Sequence, residues 1–381
     1  MNTASLVSRR HFLAAAGIAA GAAVALAARG PRPALAAGAA ATKGAAQGQP
    51  ARPEKLVCVW EPNKSSTDAD EGRKEFADVI SKAVGVPVEV MSTTDYVMAV
   101  EAIAAGTAHI ASLGSESYVQ AHAKNPGVQA VLTTSGKDGS LDTAKYYSRT
   151  VVPADQLDEY RAGDGFTVDP VKGKRISFVS TSSSSGFKVP ASYFVKHFGL
   201  GSTDELTRPG FFSEVLFGTT HPGCLVNLLE GDADVACMGQ EDINPYLTLP
   251  PVEGEDNVPG AVYEVRPDAQ EPCDRVAGQR FGLILAIPVL NAPVVVNTDV
   301  LPQDMVDALV KGLTDPELTK DEKLFAPKGA DTNTGALYRL DTTAGFVQVD
   351  DAWYDPIRQL DAPEDGAASS RAEAASSKRD A

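Results

Sequence analysis

The chain has few cysteines, no surplus of basic charge and, after its first forty residues, no apolar run long enough to cross a bilayer. Each absence excludes something. Cys58, Cys224, Cys237 and Cys273 are the only cysteines, and their spacing has no zinc-ligand pattern, so neither a metal nor a cofactor is called for. Cys224 and Cys237 fall on a predicted helix and the strand after it, which leaves a bridge and two buried thiols equally open. Lysine and arginine number 34 against 50 aspartates and glutamates, a net charge of −16. Such a surface repels nucleic-acid phosphates and suits a freely diffusing soluble protein. It does not exclude a small anion, because nearby dipoles set the field inside a buried site. The G-x-S-x-G elbow of nucleophilic serines is also missing. A triad can be drawn from Ser184, His221 and Asp234, but without that elbow no enzyme is expected.

What is present begins with an address. Ser8-Arg9-Arg10-His11-Phe12-Leu13 matches the twin-arginine export pattern, an Ala/Gly-rich apolar run covers residues 14–28, and Ala34-Leu35-Ala36 offers a cleavage site. No cysteine follows the run, which argues against a lipoprotein anchor. Residues 1–36 therefore read as a twin-arginine signal peptide, and the mature protein is expected to be periplasmic or extracytoplasmic. Residues 37–54 read as a disordered linker and 363–381 as a disordered polar tail.

Between these ends, strand and helix alternate. Residues 56–60 make the first strand. Phe76, Val79, Ile80 and Ala83 mark a helical face ended by Gly85, and Tyr96, Val100 and Ile103 mark another closed by Gly106. Strands over 86–91, 109–113 and 128–132 complete the series, which predicts a parallel α/β sheet. The second half repeats it, with strands at 176–180, 213–217 and 233–238 and helices at 186–198 and 222–230. In the first of these helices, Phe187, Tyr193 and Phe194 are expected on one face. A long apolar strand over 281–289 breaks at Asn291-Ala292-Pro293, and Met305, Leu309 and Leu313 mark a late helix. The expected architecture is α/β, with two Rossmann-like lobes joined by a two-crossing hinge and the ligand in the cleft between them. Lobe 1 spans 55–148 plus 291–362, and lobe 2 spans 149–290.

Three helix starts bear on that cleft. They are Thr93-Thr94-Asp95-Tyr96, the serine stretch of Phe178-Val-Ser-Thr-Ser-Ser-Ser-Ser-Gly-Phe-Lys-Val-Pro190, and Thr219-Thr220-His221-Pro222. Hydroxyls and unpaired N–H groups at a helix start form an anion site with no need of lysine or arginine. Beyond the carboxyl ends of parallel strands is where ligands bind in such sheets.

These segments, in this order, carry a resemblance. With Gly106-Thr-Ala-His-Ile-Ala-Ser-Leu-Gly114, the run from His221 to Asp234 and Phe346-Val-Gln-Val-Asp-Asp-Ala-Trp-Tyr-Asp-Pro-Ile357, the chain resembles the phosphonate, phosphite and phosphate-binding proteins of ABC importers. The resemblance implies a type II periplasmic binding protein, a monomer, that delivers a phosphorus oxyanion to an ABC permease. It implies ligand contacts from Tyr96, Tyr146, Ser183, Ser184, Ser185, His221 and Glu241, with Tyr147 as the rival of Tyr146. The second carboxylate that holds an aminophosphonate's amine in this family is here Ala292, which points to phosphite or a small phosphonate. A neighbouring acid such as Glu271 or Asp274 could offset that loss. Phosphate or another oxyanion, or a ligand-sensing subunit, are the alternatives.

Overall fold

The computed structural model of the chain describes residues 50–63, 66–332 and 334–361. The segments expected to be a signal peptide, most of a linker and a polar tail lie outside the described residues. The chain opens with β1 (Leu56–Trp60), β2 (Val88–Ser92), β3 (Ile110–Ser112) and β4 (Val128–Thr134), connected through α1 (Ser66–Val84), α2 (Tyr96–Ala104) and α3 (Ser115–Lys124). It then builds β5 (Lys145–Pro153), β6 (Arg175–Phe178), β7 (Glu214–Phe217), β8 (Val235–Gly239), β9 (Leu247–Glu253), β10 (Val262–Val265) and β11 (Arg280–Leu290). Helices α4 (Val189–Phe198) and α5 (His221–Leu229) and the single turn α6 (Gln240–Ile243) join these strands. Finally β12 (Pro293–Asn297), α7 (Gln303–Leu313) and β13 (Phe346–Gln348) return to the first sheet.

The first sheet has six strands in the order β13-β4-β12-β3-β1-β2, and the second has seven in the order β9-β10-β11-β5-β8-β6-β7. Both are mixed rather than parallel, which corrects the expectation from strand–helix alternation. The parallel sets are β2-β1-β3 and β8-β6-β7. The strands that carry the chain between sheets run against them: β12 lies antiparallel between β3 and β4, and β5 lies antiparallel beside β8. A chain that crosses over and comes back must enter the sheet from its opposite end.

The two crossings lie side by side. The chain leaves the first sheet after Thr134 and enters the second at Lys145, and Lys145 pairs with Leu290, the last residue of β11. Just beyond, the Asn291 amide donates to the Ala144 carbonyl at 3.1 Å, and the Asn291 side chain donates to the Thr134 carbonyl at 3.0 Å. The hydroxyl of Tyr354 donates to the Asn291 carbonyl at 3.1 Å. Asn291 thus ties both crossings together.

The helical faces follow the periodicity. Phe76 and Ile80 on α1, Val100 and Ile103 on α2, and Met305, Leu309 and Leu313 on α7 are buried on the first sheet. All four cysteines are free and buried, each without a bridge. Two local expectations need correction. The segment after the serines begins as a π turn over Ser184–Lys188, and the α-helix starts only at Val189. Pro190 has no amide to donate to Gly186, whose carbonyl instead accepts from Val179 at 3.2 Å, so the first turn opens wider. Tyr193 is exposed and stacked on His197, whereas Phe187 and Phe194 are buried. Seven residues complete two helical turns, but six leave Tyr193 off that face.

Phe194 is fully buried and meets the Phe212 ring edge-on at 6.1 Å. Phe194→Ala should therefore lower unfolding stability by about 3–5 kcal/mol. Tyr193→Ala should stay within about 0.5 kcal/mol, as for most surface changes. Denaturant midpoints of the two variants test this, and equal losses would contradict the assigned face.

Candidate ligand-binding site

A cavity of about 120 Å³ lies between elements of the two sheets. Its wall includes Tyr96, Tyr146, Ser183, Ser184, Ser185, His221 and Glu241, all seven residues singled out from sequence. Tyr147 is not on that wall. Each is placed by a local device. Asp95 caps α2 by accepting from the Val97 amide at 2.7 Å, which starts the helix at Tyr96 and turns its side chain back toward the helix end. Ser183 caps the π turn by accepting from the Gly186 amide at 3.1 Å. Thr220 caps α5 through the Gly223 amide at 2.9 Å, so His221 opens the helix rather than capping it.

The hydrogen bonds set direction at each group. Tyr96 donates to Asn63 Oδ1 at 2.5 Å, and its oxygen lies 3.3 Å from His221 Nε2. His221 is 2% exposed, and its Nδ1 accepts from the Gly239 amide at 2.8 Å. An accepting Nδ1 bears no proton, so the ring is the neutral tautomer with its proton on Nε2. That N–H faces Asp242 Oδ2 at 3.2 Å. Gly239 must be glycine for this contact. A Cβ there would lie 2.7 Å from Ser185 Oγ and 2.9 Å from Asp242 Oδ2.

Ser184 sits where the halves of the chain meet. Its Oγ accepts from the Glu116 amide at 2.8 Å and from Ser115 Oγ at 3.0 Å, both in the first turn of α3. Its own proton is left to donate toward the cavity. Ser117 donates to the Ser182 carbonyl at 2.9 Å, and the Ser182 hydroxyl to Gln120 Oε1 at 2.8 Å. Tyr146 donates to Ser185 Oγ at 3.2 Å. Burial raises the hydroxyl pKa of both Tyr96 and Tyr146, so each stays a donor at neutral pH. Glu61, once ionised, would work in the same direction on Tyr96, and the charge of Asp242 does so on Tyr146, against the Ser185 hydroxyl.

Residues 58–354 match the family described as the periplasmic substrate-binding protein of phosphonate ABC transporters. The chain belongs to this family. Its members are solute-binding proteins and not enzymes, and they serve an ABC permease. Over 311 residues the chain is 23% identical to a phosphate-import protein, PhnD, of Mycolicibacterium smegmatis, covering 81% of this chain and 85% of the relative. Its fold is similar to a binding protein component of an ABC phosphonate transporter from Pseudomonas aeruginosa, with TM-score 0.57 and 16% identity over 82% and 86% of the two chains. It is equally similar to PhnD1 of Prochlorococcus marinus in complex with methylphosphonate, with TM-score 0.57 and 16% identity over 81% and 97%. These neighbours carry the two-lobed α/β fold.

Four residues of the wall went unnoticed in the sequence. Glu61 is 2% exposed and follows directly on β1, and Asn63 holds Tyr96. Arg73 is 4% exposed, although helix starts can hold an anion with no need of lysine or arginine. It lies at i−3 and i−7 from Phe76 and Ile80, so a charge on the apolar stripe of α1 was the available signal. Asp242, next to Glu241, is the acid that meets His221. Glu241 is exposed and also lines a second cavity of about 730 Å³. Glu271 and Asp274 lie on neither wall, so they do not replace the acid missing at Ala292. Asp234 binds Arg175 at 2.6 Å instead of His221, which dissolves the triad. Lys188 is 3.6 Å from Glu116, and Arg149 is bound to Asp256 at 2.7 Å; neither lines the cavity.

Four buried side-chain atoms without a hydrogen-bond partner among the described residues belong to residues of this one wall: Trp60 Nε1, Glu61 Oε1, Arg73 Nε and Asn291 Oδ1. Each costs about 1–3 kcal/mol when left unpaired, so the cavity is built for a polar guest. Nitrogen-15 NMR of the His221 ring should find the proton on Nε2 throughout the neutral range. A proton on Nδ1 would contradict the bond from Gly239.

Proposed function

We propose that this protein is the solute receptor of an importer and takes phosphite or a small phosphonate by closing its two lobes around it. The observation that carries this is the gathering of hydroxyls, the His221 N–H and four unpaired polar atoms around one small cavity. Its volume of about 120 Å³ equals on the order of four waters, which suits a phosphorus centre with its oxygens and little else. The groups around the cavity come from both halves of the chain: Tyr96 from one, the serine loop and His221 from the other. Ligand binding would draw them together, and exclusion of water would strengthen each bond. An aminophosphonate gains less, since Ala292 offers no charge to its amine. The protein acts as a monomer and is exported folded through the twin-arginine route.

One observation favours a second reading. The larger cavity shares Thr134, Glu241, Asn291, Leu337 and Tyr338 with the small one, so an organic arm on the phosphorus could extend into it.

Calorimetric titration with phosphite, methylphosphonate, longer alkylphosphonates, 2-aminoethylphosphonate and phosphate separates the readings. The first expects phosphite and methylphosphonate to bind tightest and longer chains to lose affinity. The second expects up to about 0.8 kcal/mol gained for each added CH₂. Ser184→Ala should weaken binding by about 1.5–3 kcal/mol. Failure of every phosphorus oxyanion to bind would sink both readings.

A further inference from the structure

Glu61 is an odd neighbour for an anion. The carboxyl sits in the wall of the cavity beside the donors, and its two oxygens are treated differently. Oε2 accepts from the Gly114 amide at 2.7 Å, whereas Oε1 is buried without a partner. The Ser117 hydroxyl lies near the carboxyl, but its only proton goes to the Ser182 carbonyl at 2.9 Å. Among the described residues no donor is therefore left for Oε1. An ionised carboxylate here would have one bare oxygen, would sit near Asp242 and would repel an entering oxyanion. A neutral acid meets none of these objections. With Oε2 engaged as an acceptor, its proton belongs on Oε1, the oxygen without a partner.

We propose that Glu61 is a specificity-determining residue whose carboxyl supplies one proton to the oxyanion site, held on Oε1 and shared with a ligand oxygen. The site would then bind a phosphorus oxyanion together with one proton. This rests on the phosphorus-oxyanion reading above. It favours basic oxyanions such as phosphite, phosphonates and phosphate, whose oxygens accept a proton well. It disfavours sulfonates of the same shape, whose oxygens are far less basic.

The surroundings agree. Burial pushes the Glu61 carboxyl up to about 8, helped by the Asp242 charge and opposed by the Ser117 hydroxyl and the Gly114 amide. The other titratable groups on the wall are Tyr96 from α2, Tyr146 from β5, Arg73 from α1, His221 from α5, Glu241 and Asp242 from α6, and Tyr338, whose hydroxyl pKa burial also raises. Tyr96 and Tyr146 are raised and stay protonated above that range. His221 already has an unprotonated Nδ1. For an acid with a raised folded pKa, the proton is present below about 8 and lost above it, and ligand affinity should follow.

Titration of the full chain with methylphosphonate across the alkaline range, in two buffers of different ionisation enthalpy, tests this. Wild-type affinity should fall about tenfold per pH unit above about 8, with uptake of one proton per ligand bound. Glu61→Gln keeps an acceptor for Gly114 and a donor for the ligand. It should bind methylphosphonate with no such fall and no coupled proton uptake. Methanesulfonate should bind at least tenfold more weakly than methylphosphonate to the wild type. Superimposable profiles for the two proteins, or no proton uptake by the wild type, would overturn the role of Glu61 while leaving the receptor reading intact. Absence of methylphosphonate binding at every pH would instead overturn the receptor reading itself.

Discussion

The antiparallel ladder between β5 and β11 is the constraint on which the site depends. Its nine residue pairs run from Phe281 opposite Pro153 to Leu290 opposite Lys145, and end where the chain crosses between sheets. The two crossings are hydrogen-bonded to each other through the Asn291 amide and the Ala144 carbonyl. The same ladder sets Tyr146 on the cavity and turns Tyr147 away, since successive strand residues face opposite sides. Asn291 closes the ladder and lends its unpaired Oδ1 to the cavity wall.

Around that junction the polar groups hold one another in place: Tyr96 donates to Asn63, Tyr146 donates to Ser185, and the His221 N–H faces Asp242. Ser184 accepts two bonds, and the raised pKa values of Tyr96 and Tyr146 keep both phenols protonated. Single hydrogen bonds of this kind contribute only about 0.5–1.5 kcal/mol net. Their strength in a binding site comes from number, exclusion of water and fixed geometry. Buried Arg73 and Glu61 add what the hydroxyls lack, a positive charge and a group able to hold a proton. The acidic surface of the protein as a whole is no obstacle, because these groups govern the field locally.

Much of this was legible in the linear chain. Three helix starts, each with a hydroxyl or acid ahead of an apolar stripe, located Tyr96, the serines and His221 without any knowledge of distances. The order of those starts carried the family. Misplacements were local and have physical causes: Pro190 widened the first turn after the serines, and a six-residue step took Tyr193 off the buried face. The parallel sheet was an error of a different sort. Alternation of strand and helix says which segments pair, but not that a returning strand will be inserted among them in the opposite sense.

The chain by itself determined the helix caps, the apolar faces and the serine run, because each depends on residues close together in sequence. Only the tertiary structure decided which charged residues enter the cavity. Glu61 and Arg73 read as ordinary surface charges until the fold buries them, and desolvation then changes what each can do. Asp234 and Asp242 show the same limit. Both follow His221 in sequence, yet Asp234 ends on Arg175 and Asp242 on the His221 ring, since Asp234 stands just before the start of β8 and Asp242 just past its end.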